Sequence, residues 1–356
     1  MTDGDIEMDL VTAKSLQNLD PAYFAMVMAT GIVSIHAHLL DIPLVCWPLL
    51  GIGSFAYLIL AILLSVGMAK HLSGLIAEIA CQCRDPKVFS LVAATCVLGI
   101  QGVQLANNRL LGLSLWLLGL LLWIALMGVF WLLAITNESK PPLREAVHGS
   151  WLIIVVATQS LAVLGSLLAP VFPSWEERLA FLSLMFYLFG GALYLMFIGL
   201  IVYRLIFVAL MRAEFTPAYW INMGAAAITT LAGASLILHG AQWHCLREIL
   251  PFMEGLTLLF WAVGTAWIPL LTLMEIWRYL YRRYPVAYEV EQWCMVFPLG
   301  MYGVCTWQLE KAMDLPFLAS LSKIFLAVAL IAWAVVFMGM IRRLGKTLSC
   351  RTVENG

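Results

Sequence analysis

Charge is what this sequence has least of. Asp, Glu, Lys and Arg make up 12% of its 356 residues, about half the share found in a soluble domain. A chain so poorly charged does not build two or three water-soluble domains. Neither sign prevails: 20 Lys and Arg stand against 21 Asp and Glu, so no basic surface is on offer to nucleic acid. Eight cysteines, at 46, 81, 83, 96, 245, 294, 305 and 350, make neither a disulfide framework nor a zinc spacing. Only Cys81 and Cys83 lie close, and a structural zinc site takes four ligands, so the cysteines read as small packing residues. P-loop, HExxH and nucleophile-elbow patterns are missing as well, and nothing points to an enzyme or a cofactor. Residues 1–19 carry Asp3, Asp5, Glu7 and Asp9 against a single Lys14. That is unlike the basic start of a signal peptide and reads as a disordered cytoplasmic tail.

Apolar residues fill the space left by charge. They form 63% of the chain, with 14 Trp and 17 Phe, and the mean hydropathy is +0.93, a composition at home in lipid. A bilayer core about 30 Å thick needs roughly 20 apolar residues per helix. Ten stretches meet that length: 21–40, 43–68, 86–106, 110–136, 148–170, 178–205, 217–239, 250–277, 290–309 and 315–341. Proline marks several starts (Pro21, Pro86, Pro217, Pro316), where its missing N–H costs nothing. The fold expected is an all-α polytopic membrane protein of ten transmembrane helices. It has a transmembrane domain over 20–344 and a cytoplasmic tail over 345–356.

Loop charges orient the spans. With ten crossings, one side holds fifteen basic residues, among them Lys70, Lys87, Arg144, Arg212, Arg282 and Arg283. The other holds Arg109, Arg178, Arg247 and Lys311, and Lys323, near the start of the tenth span, is left over. That asymmetry places both termini in the cytoplasm of a cell whose inner or plasma membrane carries the protein.

The chain also repeats itself. Asp20–Ile35 (DPAYFAMVMATGIVSI) and Asp85–Ile100 (DPKVFSLVAATCVLGI) share seven of sixteen positions. PAYWINMGAAAI from Pro217 repeats PAYFAMVMATGI from Pro21, and weaker copies start at Trp151 and Trp293. Aligning Phe24, Phe89, Trp151, Trp220 and Trp293 gives intervals of 65, 62, 69 and 73 residues. The unit is a two-helix hairpin used five times in parallel, which closes most simply into a ring around a central pore. Odd helices carry the small residues (Ala29, Gly31, Ser34, Ala93, Gly224, Gly233) and even ones are dense in Leu, Phe and Trp. This predicts odd helices inside and even helices against lipid. The small residues either line the lumen or only pack helices. The aromatic column, near the start of each odd helix, is expected as an interfacial belt.

FAMVMATGIVSI, the Trp151 segment, PAYWINMG and WCMVFPLG, in that order from about Leu19 to Leu344, resemble the tellurite-resistance/C4-dicarboxylate transporter family. It includes the slow anion channels and malate and sulfite transporters. The resemblance implies a homotrimer whose subunits each carry a lumen lined by the five odd helices. It also implies a plug formed by a phenylalanine in an aromatic–Pro context on the ninth helix, and Phe297-Pro298 matches that context.

The residues support the plug on their own terms. In the repeat column of Phe297 stand Met28, Ala93, Val155 and Gly224, so one phenyl ring faces smaller counterparts and can close a narrow apolar path. Pro298 removes a backbone N–H and favours a bend beneath the ring. No Asp or Glu sits mid-span in an odd helix, whereas proton-coupled carriers keep a buried relay. Uncharged donors would then stabilise an anion: Thr30, Ser34, Thr95, Thr158, Gln159, Asn222 and Thr229, with Asn222 the foremost. The bland reading for each hydroxyl is a bond to its own helix. Basic residues at the cytoplasmic rim (Lys87, Arg144, Arg212, Arg282, Arg283) would gather anions. His36, His38, His148, His239 and His244 offer a haem-type alternative, but their spacings put no pair on one helical face. The function expected is an anion channel or uniporter working with small anions and membrane lipids. The alternative is a proton-coupled exporter of sulfite, tellurite or C4-dicarboxylates.

Overall fold

The computed structural model describes residues 21–70 and 86–354, apart from 139, 141, 143, 145, 146, 210, 212, 213, 241 and 286. The acidic tail over 1–19, the Cys81–Cys83 pair and Arg212 lie outside the described residues. Ten long helices follow one another: α1 Tyr23–Leu39, α2 Pro43–Lys70, α3 Ser90–Gln104, α4 Arg109–Thr136, α5 Ile153–Leu168, α6 Glu176–Phe207, α7 Ile221–Gly240, α8 Leu250–Ile276, α9 Trp293–Met313 and α10 Ala319–Glu354. α10 runs on through the stretch read as a tail beyond 344. Eight of the ten are long and apolar enough to cross a membrane. The remaining two are α1, with 17 residues, and α9, which ends on Gln308, Glu310 and Lys311.

Local chemistry sets the turns. Three hairpins close on one residue in the left-handed region: Asp41 (φ 56°) between α1 and α2, Asn107 (φ 48°) between α3 and α4, and Asp314 (φ 52°) between α9 and α10. Asp and Asn tolerate that conformation better than other side chains. Asn108 also caps α4, its side chain accepting from the Leu111 N–H at 3.0 Å. At the opposite end, α3, α5, α7 and α9 are each entered through a 3-10 turn: Pro86–Phe89, Gly149–Leu152, Pro217–Trp220 and Val290–Gln292.

The odd helices form a closed inner ring in the order α1, α3, α5, α7, α9 and back to α1. Each even helix packs on its hairpin partner and on the odd helix of the next hairpin. Burial separates the layers: 94% of the apolar window of α5 is buried, against 17% of that of α4. Most of the exposed large side chains, such as Leu121, Phe189 and Leu273, lie on the even helices. All odd helices run the same way, so the five hairpins are parallel repeats.

One hydrogen bond recurs around the structure. From each even helix an aromatic polar group reaches the next odd helix: Tyr57 to Thr95 (2.8 Å), Trp123 to Thr158 (2.9 Å), Tyr194 to the Asn222 carbonyl (3.1 Å), Trp261 to Thr306 (3.1 Å) and Trp333 to Thr30 (3.0 Å). Bonds of this kind contribute about 0.6 kcal/mol each in a membrane protein, and five of them fix the outer layer to the inner. The aromatic column expected as a belt belongs to the same seam. Phe24 packs edge-on against Tyr57, Phe89 against Phe130, Trp151 against Phe197 and Trp293 against Trp333. Phe24, Phe89 and Trp293 are buried, so the column wedges between the layers rather than facing the lipid interface.

Candidate functional site

The axis of the inner ring holds a small cavity of about 20 Å³, room for a water molecule, near the C-terminal ends of the odd helices. Every odd helix lines it: Ile32, Ile35 and Leu39 of α1, Ile100 and Gln104 of α3, Val163 and Leu167 of α5, Leu231 and Ser235 of α7, Val304 and Gln308 of α9. The spacings of three and four residues trace one face per helix, because an α-helix turns about 100° per residue. None of these side chains is ionisable. Gln308 donates through Nε2 to the Ser235 hydroxyl at 3.5 Å, and Gln104 keeps a buried amide oxygen with no partner.

Extending each row by seven residues towards the N-terminal mouth reaches the level of the expected plug. From Val304 the row leads to Phe297, from Ile35 to Met28, from Ile100 to Ala93 and from Leu231 to Gly224. On α5 it leads from Val163 to Val156, so Val155 stands one position off the row that the sequence alignment gave it. The residues at this level are buried, Phe297 with 2% exposure, and the nearest lining residue, Ile32, stands four residues beyond Met28, about 6 Å along the axis by helix rise. The neighbours of α9 fix the direction of the Phe297 ring. Pro298 turns towards α7, where a Cβ built on Gly224 would lie 2.7 Å from its Cγ. Gly300 and Gly303 turn towards Ile32, Val33 and His36 of α1. Phe297 falls between those two directions, on the face that carries Val304 and Gln308. Pro298 is the one proline inside an odd helix.

Other expectations are corrected by what the side chains touch. Thr30 accepts a hydrogen bond from Trp333 and lies against α2, 3.7 Å from where a Cβ on Gly53 would sit; it faces the outer layer, not the lumen. Asn222 stands two residues from Gly224, about 200° around α7, with its carbonyl taken by Tyr194. Its side-chain amide is buried without a partner, but away from the cavity row. Ser34 bonds the Cys46 carbonyl, Gln159 the Tyr187 carbonyl, and Thr95, Thr158 and Thr229 their own helices. The donors that do line the cavity, Gln104, Ser235 and Gln308, share one repeat column, fifteen residues after Phe89, Trp220 and Trp293. That shared column is a signal the sequence itself carries.

The rim is also less positive than its composition suggests. Lys87 pairs with Glu291 at 2.6 Å and Arg144 with Glu214 at 2.8 Å. Arg204, buried, bonds Tyr219, the Arg144 carbonyl and Glu214. Burial pushes the Glu214 carboxyl up; the Met211 amide and the two guanidiniums outweigh it and hold its pKa below the ordinary value. Of the histidines, His36 bonds Ser322 at 3.0 Å in the seam of α1, α9 and α10, and His239 stacks on Trp243.

Known proteins agree with this architecture. Residues 18–341 match the family profile described as SLAC1, voltage-dependent anion channel. An uncharacterized membrane protein of Mycobacterium tuberculosis is 39% identical over 151 residues, 42% of this chain and 76% of that protein. Two uncharacterized transporters of Methanocaldococcus jannaschii are each 24% identical. One match covers 83% of this chain and 86% of the transporter, the other 81% and 82%. With a profile match across nearly all of the ten-helix ring, this chain belongs to the SLAC1 anion channel family.

Proposed function

We propose that the protein is a passive path for small anions, a channel or uniporter, that conducts along the axis of the inner ring and is occluded by Phe297. The observation carrying this reading is the axial cavity, built from all five odd helices, with a continuous row leading down to that ring. Its lining offers amide and hydroxyl dipoles but no fixed charge. Such a lining holds an anion weakly and lets it leave, as conduction demands. A proton-coupled exporter of sulfite, tellurite or C4-dicarboxylates would want an ionisable relay on the same path, and the cavity lining contains none.

The test is anion flux into liposomes, with chloride, nitrate, sulfite and malate compared side by side. Downhill flux that is indifferent to an imposed pH gradient is expected. Uphill accumulation driven by that gradient would replace the channel with the carrier.

The charge bias of the loops supports an orientation with the N-terminal mouth in the cytoplasm. Ser174 is exposed between α5 and α6, and Lys140 between α4 and α5. A cysteine at Ser174 should react with an impermeant maleimide added to whole cells, and one at Lys140 only after lysis. The opposite pattern inverts the molecule.

A further inference from the structure

The N-terminal mouth of the ring is spanned by a contact that the plug does not use. The 3-10 turns leading into α3, α5, α7 and α9 pack in sequence: Pro86–Phe89 on Gly149–Leu152, that on Pro217–Trp220, and that on Val290–Gln292. The approach is closest at Gly149, where a Cβ would lie 2.7 Å from the Tyr219 backbone. This chain of turns leaves one gap, from the lead-in of α9 back to that of α3. Lys87 and Glu291 close it, Nζ to Oε1, at 2.6 Å. In the ring α3 and α9 are not neighbours, since α1 stands between them. The bridge therefore runs as a chord of the ring.

The repeat sharpens the observation. Lys87 and Glu291 each stand two residues before the aromatic column, and the other three positions there are Ala22, Gly149 and Ala218. No charge stands at those three positions, so within this column the two opposite charges meet only each other. The pair is largely shielded, its side chains 19% and 24% exposed. Burial pushes the Glu291 carboxyl up, yet the Lys87 ammonium, a hydrogen bond from Thr216 and the His148 imidazole outweigh it. It stays a carboxylate, fixed by groups from the lead-ins of α3, α5 and α7.

We infer that the Lys87–Glu291 bridge is a second, electrostatic gate at the N-terminal mouth, which sets how readily an anion enters the axial path from that side. In the bridged state Glu291 cancels the Lys87 charge and presents a carboxylate to any arriving anion. Neutralising Glu291 makes the entrance more positive by one charge, which concentrates anions there. Neutralising Lys87 leaves the carboxylate to repel them. The inference rests on the reading of the ring as an anion path, and concerns small anions of any identity.

The experiment uses the full chain in liposomes carrying Phe297→Ala, so that the plug does not limit entry, with chloride and nitrate as probes. Glu291→Gln should raise flux several-fold over this parent, and Lys87→Met should lower it. The exchange Lys87→Glu with Glu291→Lys should return flux to within about twofold of the parent, because it rebuilds the bridge with its ends reversed. Charge at an entrance acts over about 10 Å at 0.1 M salt and about 3 Å at 1 M, so the opposite effects of the single variants should shrink in high salt. A merely structural bridge would give losses in both single variants, no salt dependence and recovery of stability alone; that pattern overturns the gate. Single variants equal to the parent overturn it too. If Glu291→Gln does not fold, Lys87→Met and the exchanged pair decide by the same criteria. A parent that passes no anion at all overturns the channel reading and the gate with it, whereas a conducting parent with unresponsive charge variants removes the gate alone.

Discussion

Replacing Phe297 by Ala should raise anion flux on the order of tenfold or more while leaving thermal stability close to that of the natural protein. The ring is buried at 2% exposure, and in an ordinary core its loss would cost about 3–5 kcal/mol. It lies, however, on the face of α9 that lines the axial cavity two turns further on. Space opened there lies within about one turn of an existing cavity on the same axis, so water entering along the path fills it where a sealed core would leave a void. A permeation barrier lowered by only about 1.4 kcal/mol already gives tenfold. Flux assays and a thermal melt on the same preparation separate the two readings. High flux with an unchanged melt identifies a plug, and a large melting loss without flux identifies a packing residue. Leu at the same position should fall between Phe and Ala if ring size does the closing. Silence across chloride, nitrate, sulfite and malate would remove Phe297 from the conduction path.

The architecture was open to sequence reading because lipid is a demanding solvent. Every backbone polar group must be satisfied within the span, so hydropathy alone gives ten helices with ends near those observed, apart from α10, which runs on to Glu354, and the five-fold repeat gives their pairing. The direction of individual side chains was not open in the same way. The odd helices are apolar all round, and no amphipathic stripe singles out a lumen face. Thr30 and Asn222 illustrate the consequence. A polar group in a span reads as a pore donor, but in lipid it serves equally well to tie one helix to another. Thr30 does so through Trp333, whereas the Asn222 side chain is buried without a partner about 200° around α7 from the cavity row. Val155 shows a different limit. The alignment by Trp151 treats each entry to a helix alike, whereas the cavity row on α5 runs through Val163 and Leu167, one residue out of step with the other four helices.

Gly224→Phe should destroy the fold rather than block a folded pore. The position shares the row of Leu231 and Ser235, and on sequence grounds a phenyl ring there would be a second plug. The space in front of it is occupied. A single Cβ would already lie 2.7 Å from Pro298 Cγ and 3.1 Å from its Cβ, inside the range that atoms in contact can share. Proline has no rotamer by which to withdraw, and the ring is carried by α9, packed on its other side against α1 through Gly300 and Gly303. Accommodating Phe therefore means separating α7 from α9 and opening the inner ring. Overpacking of a core costs about 1–3 kcal/mol for small enlargements, and a change from no side chain to a phenyl ring lies beyond that range. Loss of monodisperse protein in detergent is the expected result, with Gly224→Ala milder but clearly destabilised in a thermal melt. Leu231→Met is the control, because its side chain lines the cavity two turns further along and the swap nearly conserves volume. It should fold normally and leave the flux of the Phe297→Ala protein near its own level. A stable Gly224→Phe with diminished flux would mean that this part of α7 faces open lumen and that the contact with Pro298 yields.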